Sequence, residues 1–296
     1  MKKIIGIILS GGLFCLSACS SNEEIAEENQ VALQINIKGA QTRTIIPGTT
    51  LPEQSQLGIF TTTNGLVNAQ NTLATYANGQ CTLFEPIYLN NIEQDVYAYY
   101  PYTERTDMDK MTIESKSQTD YLYGYSANAN GKPMKVCNSN PQADLLLKHA
   151  MTRLTLHIQK ADSNPEDELV LTQAYIVGIP YSGTLNIKTG MISINPGTLD
   201  LKLNVADKIS MGGILADILV LPEHNANILL KLVVNQKWYT APLYQTTAPW
   251  QSGHQYTYTV EIAANGNMRI TEATITPWND HTQDGIEIGD TNYVEN

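Results

Sequence analysis

The chain has 296 residues, 42% apolar and 16% charged, enough to bury packed cores and too apolar for a disordered polymer. Its 18 Lys and Arg against 29 Asp and Glu give a net charge of −11. That balance excludes nucleic acid, which needs clustered cations, and electrostatic adhesion to anionic lipid.

Lys2 and Lys3 precede an apolar run from Ile4 to Leu16 that ends in Leu16-Ser17-Ala18-Cys19. A basic start, a short apolar stretch and small residues before a cut site describe a secretion signal over residues 1–18. The apolar run is shorter than the roughly 20 residues a bilayer span requires. Leu-Ser-Ala-Cys resembles the lipobox of bacterial lipoproteins, which implies lipidation of Cys19 and attachment to the outer membrane through acyl chains. Of the remaining cysteines, Cys15 leaves with the signal. Cys81 and Cys137 either form one disulfide outside the cytoplasm or stay as buried thiols; two lone cysteines cannot make a zinc site.

Residues 20–30 are polar and carry Glu23, Glu24, Glu27 and Glu28, the composition of a solvated tether. An acidic cluster just after a lipidated cysteine also resembles a surface-export signal; an ordinary linker fits equally. Next, Val31, Leu33, Ile35 and Ile37 alternate with Ala32, Gln34, Asn36 and Lys38, which places four aliphatics on one face of a strand. Gly39 ends it, and Pro47-Gly48 marks a turn.

Downstream, short β-rich runs recur between turn residues such as Asn64-Gly65, Asn78-Gly79 and Thr189-Gly190, a pattern that predicts hairpins. Thr72–Ala77 and parts of Val205–Leu219 are the segments with helical character. The class is all-β, built as sandwiches. The breaker cluster Asn138-Ser139-Asn140-Pro141, followed by an apolar series from Leu145, predicts a boundary between units 44–144 and 145–296.

No catalytic pattern emerges. The chain lacks a Gly-x-Ser-x-Gly elbow, a His-Glu-x-x-His zinc helix and a phosphate-cradling glycine loop. His149, His157, His224, His254 and His281 are scattered without metal-ligand spacing. The acidic groups Glu166-Asp167-Glu168 and Asp284, Glu287, Asp290 lack the ligand alternation of a calcium loop and read as solvated charge. The sequence thus predicts a non-enzyme with no metal and no cofactor. Tyr121, Tyr123 and Tyr125 fall on one strand face. Exposed, they would make a glycan or protein platform; buried, they are core, the commoner fate of such a row.

Several segments, taken in order, resemble the fimbrillin family of type V pilins. They are the lipobox at Cys19, the 31–37 strand running into Thr42-Arg43-Thr44, Leu57-Gly58-Ile59-Phe60, Val96-Tyr97-Ala98-Tyr99-Tyr100-Pro101-Tyr102, His149-Ala150-Met151-Thr152-Arg153-Leu154, Ser252-Gly253-His254-Gln255-Tyr256 and Ile275-Thr276-Pro277-Trp278. The resemblance implies two transthyretin-like β-sandwich domains with Greek-key connections. It further implies a lipidated propeptide, 19–43, cut by an arginine-specific protease at Arg43–Thr44, although Thr44 departs from the Ala often found after that Arg. The implied partners are other fimbrial subunits joined head to tail, a host or bacterial surface receptor, and a final location in a cell-surface fimbrium.

The residues fit such a device on physical grounds. A sandwich lacking one strand exposes an apolar groove and unpaired edges. Val31, Leu33, Ile35 and Ile37 would plug it until cleavage, after which a neighbour's strand would replace them by β-strand addition. The tail offers Ile286 and Ile288, extended by Tyr293 and Val294, as the donor; a tail that frays or pairs within its own domain fits equally. A plug threaded into a sheet with partners on both sides would count against this scheme. The alternative is a non-polymerising, glycan-binding surface lipoprotein that uses Tyr121–Tyr125.

Overall fold

The computed structural model describes residues 31–40, 51–128, 131–161, 168–209, 212–222, 227–243, 249–263, 267–271 and 273–278, without the side chains of 39, 40 and 277. The N-terminal unit contains β1 (Val31–Ala32), β2 (Gln34–Ala40), β3 (Gln56–Thr63), β4 (Leu66–Ala77), β5 (Gln80–Leu83) and β6 (Tyr88–Leu89). It continues with β7 (Gln94–Tyr100), β8 (Met111–Glu114), β9 (Leu122–Ser126), β10 (Met134–Val136) and β11 (Gln142–His149). The C-terminal unit opens with β12 (Thr152–Lys160), β13 (Leu169–Pro180), β14 (Ser182–Leu185), β15 (Ile192–Ile194), β16 (Thr198–Lys202) and β17 (Asp207–Ile209). It ends with β18 (Ile214–Val220), β19 (Leu229–Val234), β20 (Lys237–Pro242), β21 (His254–Ile262), β22 (Met268–Ile270) and β23 (Thr274–Pro277). Among the described residues, apart from one 3-10 turn at Ser115–Ser117, the regular structure is strand, as the alternation predicts.

In the N-terminal unit the strands run in the order β10-β7-β3-β4-β5-β2-β11-β9, and a β7–β9 pairing closes the sheet on itself with β10 outside the ring. Inside lies one core that includes Leu33, Ile35, Ile37, Leu57, Ile59, Val96, Leu122, Leu145 and Leu147. The turns follow local chemistry. Asn64-Gly65 joins β3 to β4 and Asn78-Gly79 joins β4 to β5, each with positive φ at both residues, as a tight hairpin turn requires.

The C-terminal unit is a sandwich. One sheet runs β18-β12-β21-β22, with β23 also on β21; the other runs β16-β13-β19-β20, with β17 on β13. Their inner faces meet in a core that includes Leu154, Leu156, Ile176, Leu230, Leu232, Trp250, Tyr256 and Tyr258. The parallel pairs β2–β11 and β12–β21 are long crossovers between strands distant in sequence.

The structure departs from the sequence reading in four places. Residues 72–77 belong to β4, and 205–219 contain β17 and most of β18; both form strands because tertiary pairing overrides weak local propensity. The boundary expected at 144/145 cuts through β11, which runs to His149 inside the N-terminal sheet; the units meet at Ala150 and Met151. The units also share a sheet, β15-β14-β8, in which a hairpin of the C-terminal unit pairs with β8. Finally, the 31–40 segment is threaded between partners. β2 pairs in parallel with β11 and antiparallel with β5, while β1 pairs with β6. Alternation reveals which face of a strand is buried but carries no information about its edges.

Candidate functional site: the strand-filled slot and the junction between the units

The slot is built from two edges. On one side, Gln34 N–H donates to Pro141 O at 2.9 Å, and the register then runs from Gln142 opposite Gln34 to Leu145 opposite Ile37 before a bulge. On the other side stands the segment 79–89. Leu33 N–H donates to Ile87 O, and Ile37 N–H to Gly79 O, each at 2.8 Å, with Ile35 opposite Cys81 between them. Leu33, Ile35 and Ile37 are buried, whereas Val31 is only half-buried and belongs to the short β1. Burying each of the three is worth about 1.5–3 kcal/mol, an upper bound because the unfolded chain is itself partly compact.

The outward face carries a polar clip that the sequence reading missed. Asn36 Nδ2 donates to Asp144 Oδ1 at 2.7 Å, and Lys38 Nζ lies 3.4 Å from the same oxygen. Partial burial works against ionisation of Asp144, but the Asn36 hydrogen bond and the Lys38 charge more than offset it and hold the carboxyl below its ordinary value. The register aligns Asn36 with Asp144, so pairing of β2 with β11 was needed to find this contact.

Both cysteines are free thiols. Burial pushes Cys81 up to about 12, while a hydrogen bond with Ser139 draws Cys137 down. Cys81 therefore marks the inner wall of the slot.

The two units are joined by a third core. It gathers Phe60, Tyr97, Tyr99, Met111, Ala150, Met151, Leu185, Leu221 and Trp278. Buried His149 stacks on Trp278 at 3.6 Å between ring centroids, and its Nδ1 lies 2.8 Å from Asp120 Oδ1. Trp278 N–H donates to Gly253 O at 2.7 Å, and Gly253 N–H to Met151 O at 2.9 Å. The short motifs that the sequence reading lined up from Phe60 to Trp278 thus converge on this joint.

The tyrosine row is mostly packed. Tyr121 and Tyr123 lie half-buried against the junction core, and Tyr125 is buried with Lys148 above its ring. It is not a flat exposed platform. Of the histidines, His157 Nε2 meets Gly212 O at 2.9 Å and His254 Nδ1 meets Ser252 O at 3.0 Å. Glu168 pairs with Lys208. Cys19, Arg43, Thr44, His224, His281, Glu166, Asp167, Asp284, Glu287, Asp290 and the tail residues Ile286, Ile288, Tyr293 and Val294 lie outside the described residues.

A barrel-like N-terminal unit with an N-terminal strand in its wall, docked through a shared sheet onto a sandwich, defines a two-unit all-β protein. The sequence profile of the fimbrillin-like family matches residues 42–278, and the chain belongs to that family. The matched span opens just beyond β2 and closes on Trp278. Among solved structures, a candidate cell adhesion protein from Bacteroides uniformis aligns with a TM-score of 0.68 at 20% identity, covering 86% of this chain and 99% of its own. One from Bacteroides ovatus aligns at 0.61 and 19% identity, covering 84% and 98%. A fimbrial protein from Bacteroides vulgatus aligns at 0.56 and 11% identity, covering 85% and 100%. At these identities the likeness is one of fold. No curated protein matches the chain.

Proposed function

We propose that this protein is a structural or accessory subunit of a cell-surface fimbrium that serves adhesion. It is made as an outer-membrane lipoprotein anchored at Cys19, cut between Arg43 and Thr44, and assembled by exchange of strand 31–37 for the C-terminal tail of a neighbour. Family membership and the adhesion and fimbrial descriptions of its structural neighbours support the broad role. The observation that carries the exchange is the placement of β1 and β2. They fill a strand-shaped slot, supply three buried aliphatics to the core and end just ahead of Arg43.

Pairing on both edges counts against a plug that simply leaves. An empty slot would expose two ladders at once, so the outgoing strand must be replaced as it leaves rather than after it has left. The same pairing favours a second reading, a non-polymerising surface lipoprotein in which the strand is permanent. N-terminal sequencing of surface fibres against whole-membrane extract separates them. Fibre material that starts at Thr44 and runs as heat-resistant ladders supports exchange. Material that starts only at lipidated Cys19 supports the permanent strand.

A further inference from the structure

The outer face of the β16-β13-β19-β20 sheet carries an aromatic pair that no part of the assembly scheme uses. Trp238 on β20 is 61% exposed, while the chain's other two tryptophans, Trp250 and Trp278, are buried. Its ring lies 6.4 Å from that of Tyr175 on β13, with 27° between the planes, so the two make a nearly continuous tilted surface. They bound a shallow recess together with Val177, Asp200, Lys231 and Thr240.

Register explains why these groups meet. Lys202, Tyr175, Lys231 and Thr240 form one transverse row across the four strands, and Gln173, Val233 and Trp238 form part of the next. Alternation turns all of them to the outside face, where Val233, between Gln173 and Trp238 in its row, is largely covered by its neighbours. Tyr175 Oη donates to Gln173 Oε1 at 3.0 Å, which fixes that ring. Asp200 Oδ1 accepts Gly178 N–H at 3.2 Å. Lys231 makes no ion pair among the described residues.

We propose that this recess binds a hexopyranose unit of a glycan, stacked on Trp238 and Tyr175. A pyranose offers an apolar face of C–H groups and a rim of hydroxyls. The recess offers ring faces of the same character, edged by an ammonium donor, a carboxylate acceptor and a hydroxyl. Competing occupants fit less well. A protein partner needs a contiguous apolar patch of several hundred Å², whereas charged groups crowd this one. The ammonium of Lys231 disfavours a cationic ligand, and the acidity of the chain disfavours nucleic acid. The site lies in the C-terminal unit and does not depend on strand exchange.

The test applies the full chain to an array of α- and β-linked hexopyranose oligosaccharides and follows the hits by acrylamide quenching of tryptophan fluorescence. Trp238 is the accessible tryptophan, so a bound saccharide should shield it and lower the quenching. Trp238→Ala should weaken binding about tenfold or more, Trp238→Phe should retain part of it, and both should melt like the wild type. The proposal is overturned if no oligosaccharide on the array binds, or if binding and quenching protection survive in Trp238→Ala.

Discussion

His149 and Trp278 lie face to face, 3.6 Å apart and 6° from parallel, and so close the C-terminal unit onto the end of the N-terminal one. His149 ends β11 of the first unit, and Trp278 follows β23 of the second. Replacing a buried tryptophan by alanine removes the stack and leaves a cavity, so Trp278→Ala should cost about 3–5 kcal/mol in urea unfolding. A loss below about 1 kcal/mol would show that the joint is held elsewhere.

Gly190 tests the same joint from the other side. It sits at φ +73°, and a Cβ there would collide with the ring of Tyr123. Gly190→Ala should therefore loosen the grip of the β14–β15 hairpin on the N-terminal unit. Proteolysis of the junction should speed up while the amides of the C-terminal core keep their hydrogen-exchange protection.

Cys81 reports on the slot. Its thiol stands opposite Ile35 and titrates at about 12, so at neutral pH it should resist a thiol reagent while Cys137, drawn down by Ser139, reacts. After cleavage at Arg43, continued protection of Cys81 would mean the slot is still filled. Rapid labelling would mean an empty slot and would contradict strand-for-strand replacement.

The Asp144 clip makes the hold on β2 sensitive to acid. Its folded pKa lies below the unfolded value, so its contribution is present above about pH 4 and is lost as the pH falls through the depressed folded value. Hydrogen exchange at residues 34–37 should accelerate in that window in the wild type. Asp144→Asn should remove most of the pH dependence, and an unchanged profile would rule out the clip.

Ile35→Ala separates the two readings of the strand. A buried isoleucine trimmed to alanine should destabilise the uncut chain by about 2–5 kcal/mol. If the strand departs on assembly, fibres built from this variant should be as heat-resistant as wild type. Equal weakening of both forms would mean that β2 stays.

Much of this architecture is written in local pattern. The alternation of Val31, Leu33, Ile35 and Ile37 predicts burial of all four, and the structure buries the last three while leaving Val31 half-buried; Asn64-Gly65 and Asn78-Gly79 predict their hairpins, and the structure agrees. The tyrosine row follows the core reading rather than the platform reading. What local pattern cannot show is pairing between distant segments. The two occupied edges of β2, the extension of β11 past Leu145, the β8–β14 sheet and the meeting of Asn36 with Asp144 all depend on which strands become neighbours. Asp120 escaped notice for the same reason: nothing in its own surroundings announces a histidine arriving from β11. Trp238 was silent because one exposed aromatic gains meaning only beside Tyr175.

The connection between β11 and β12 consists of Ala150 and Met151, both fully buried. Two short residues sealed in a core leave no room for a swivel, and the hairpin bonded to β8 braces the other side. Tension applied to one half of the molecule is thus handed to the other through main-chain hydrogen bonds and stacked rings rather than through a slack tether. Any string of such units would bend between molecules, not within them.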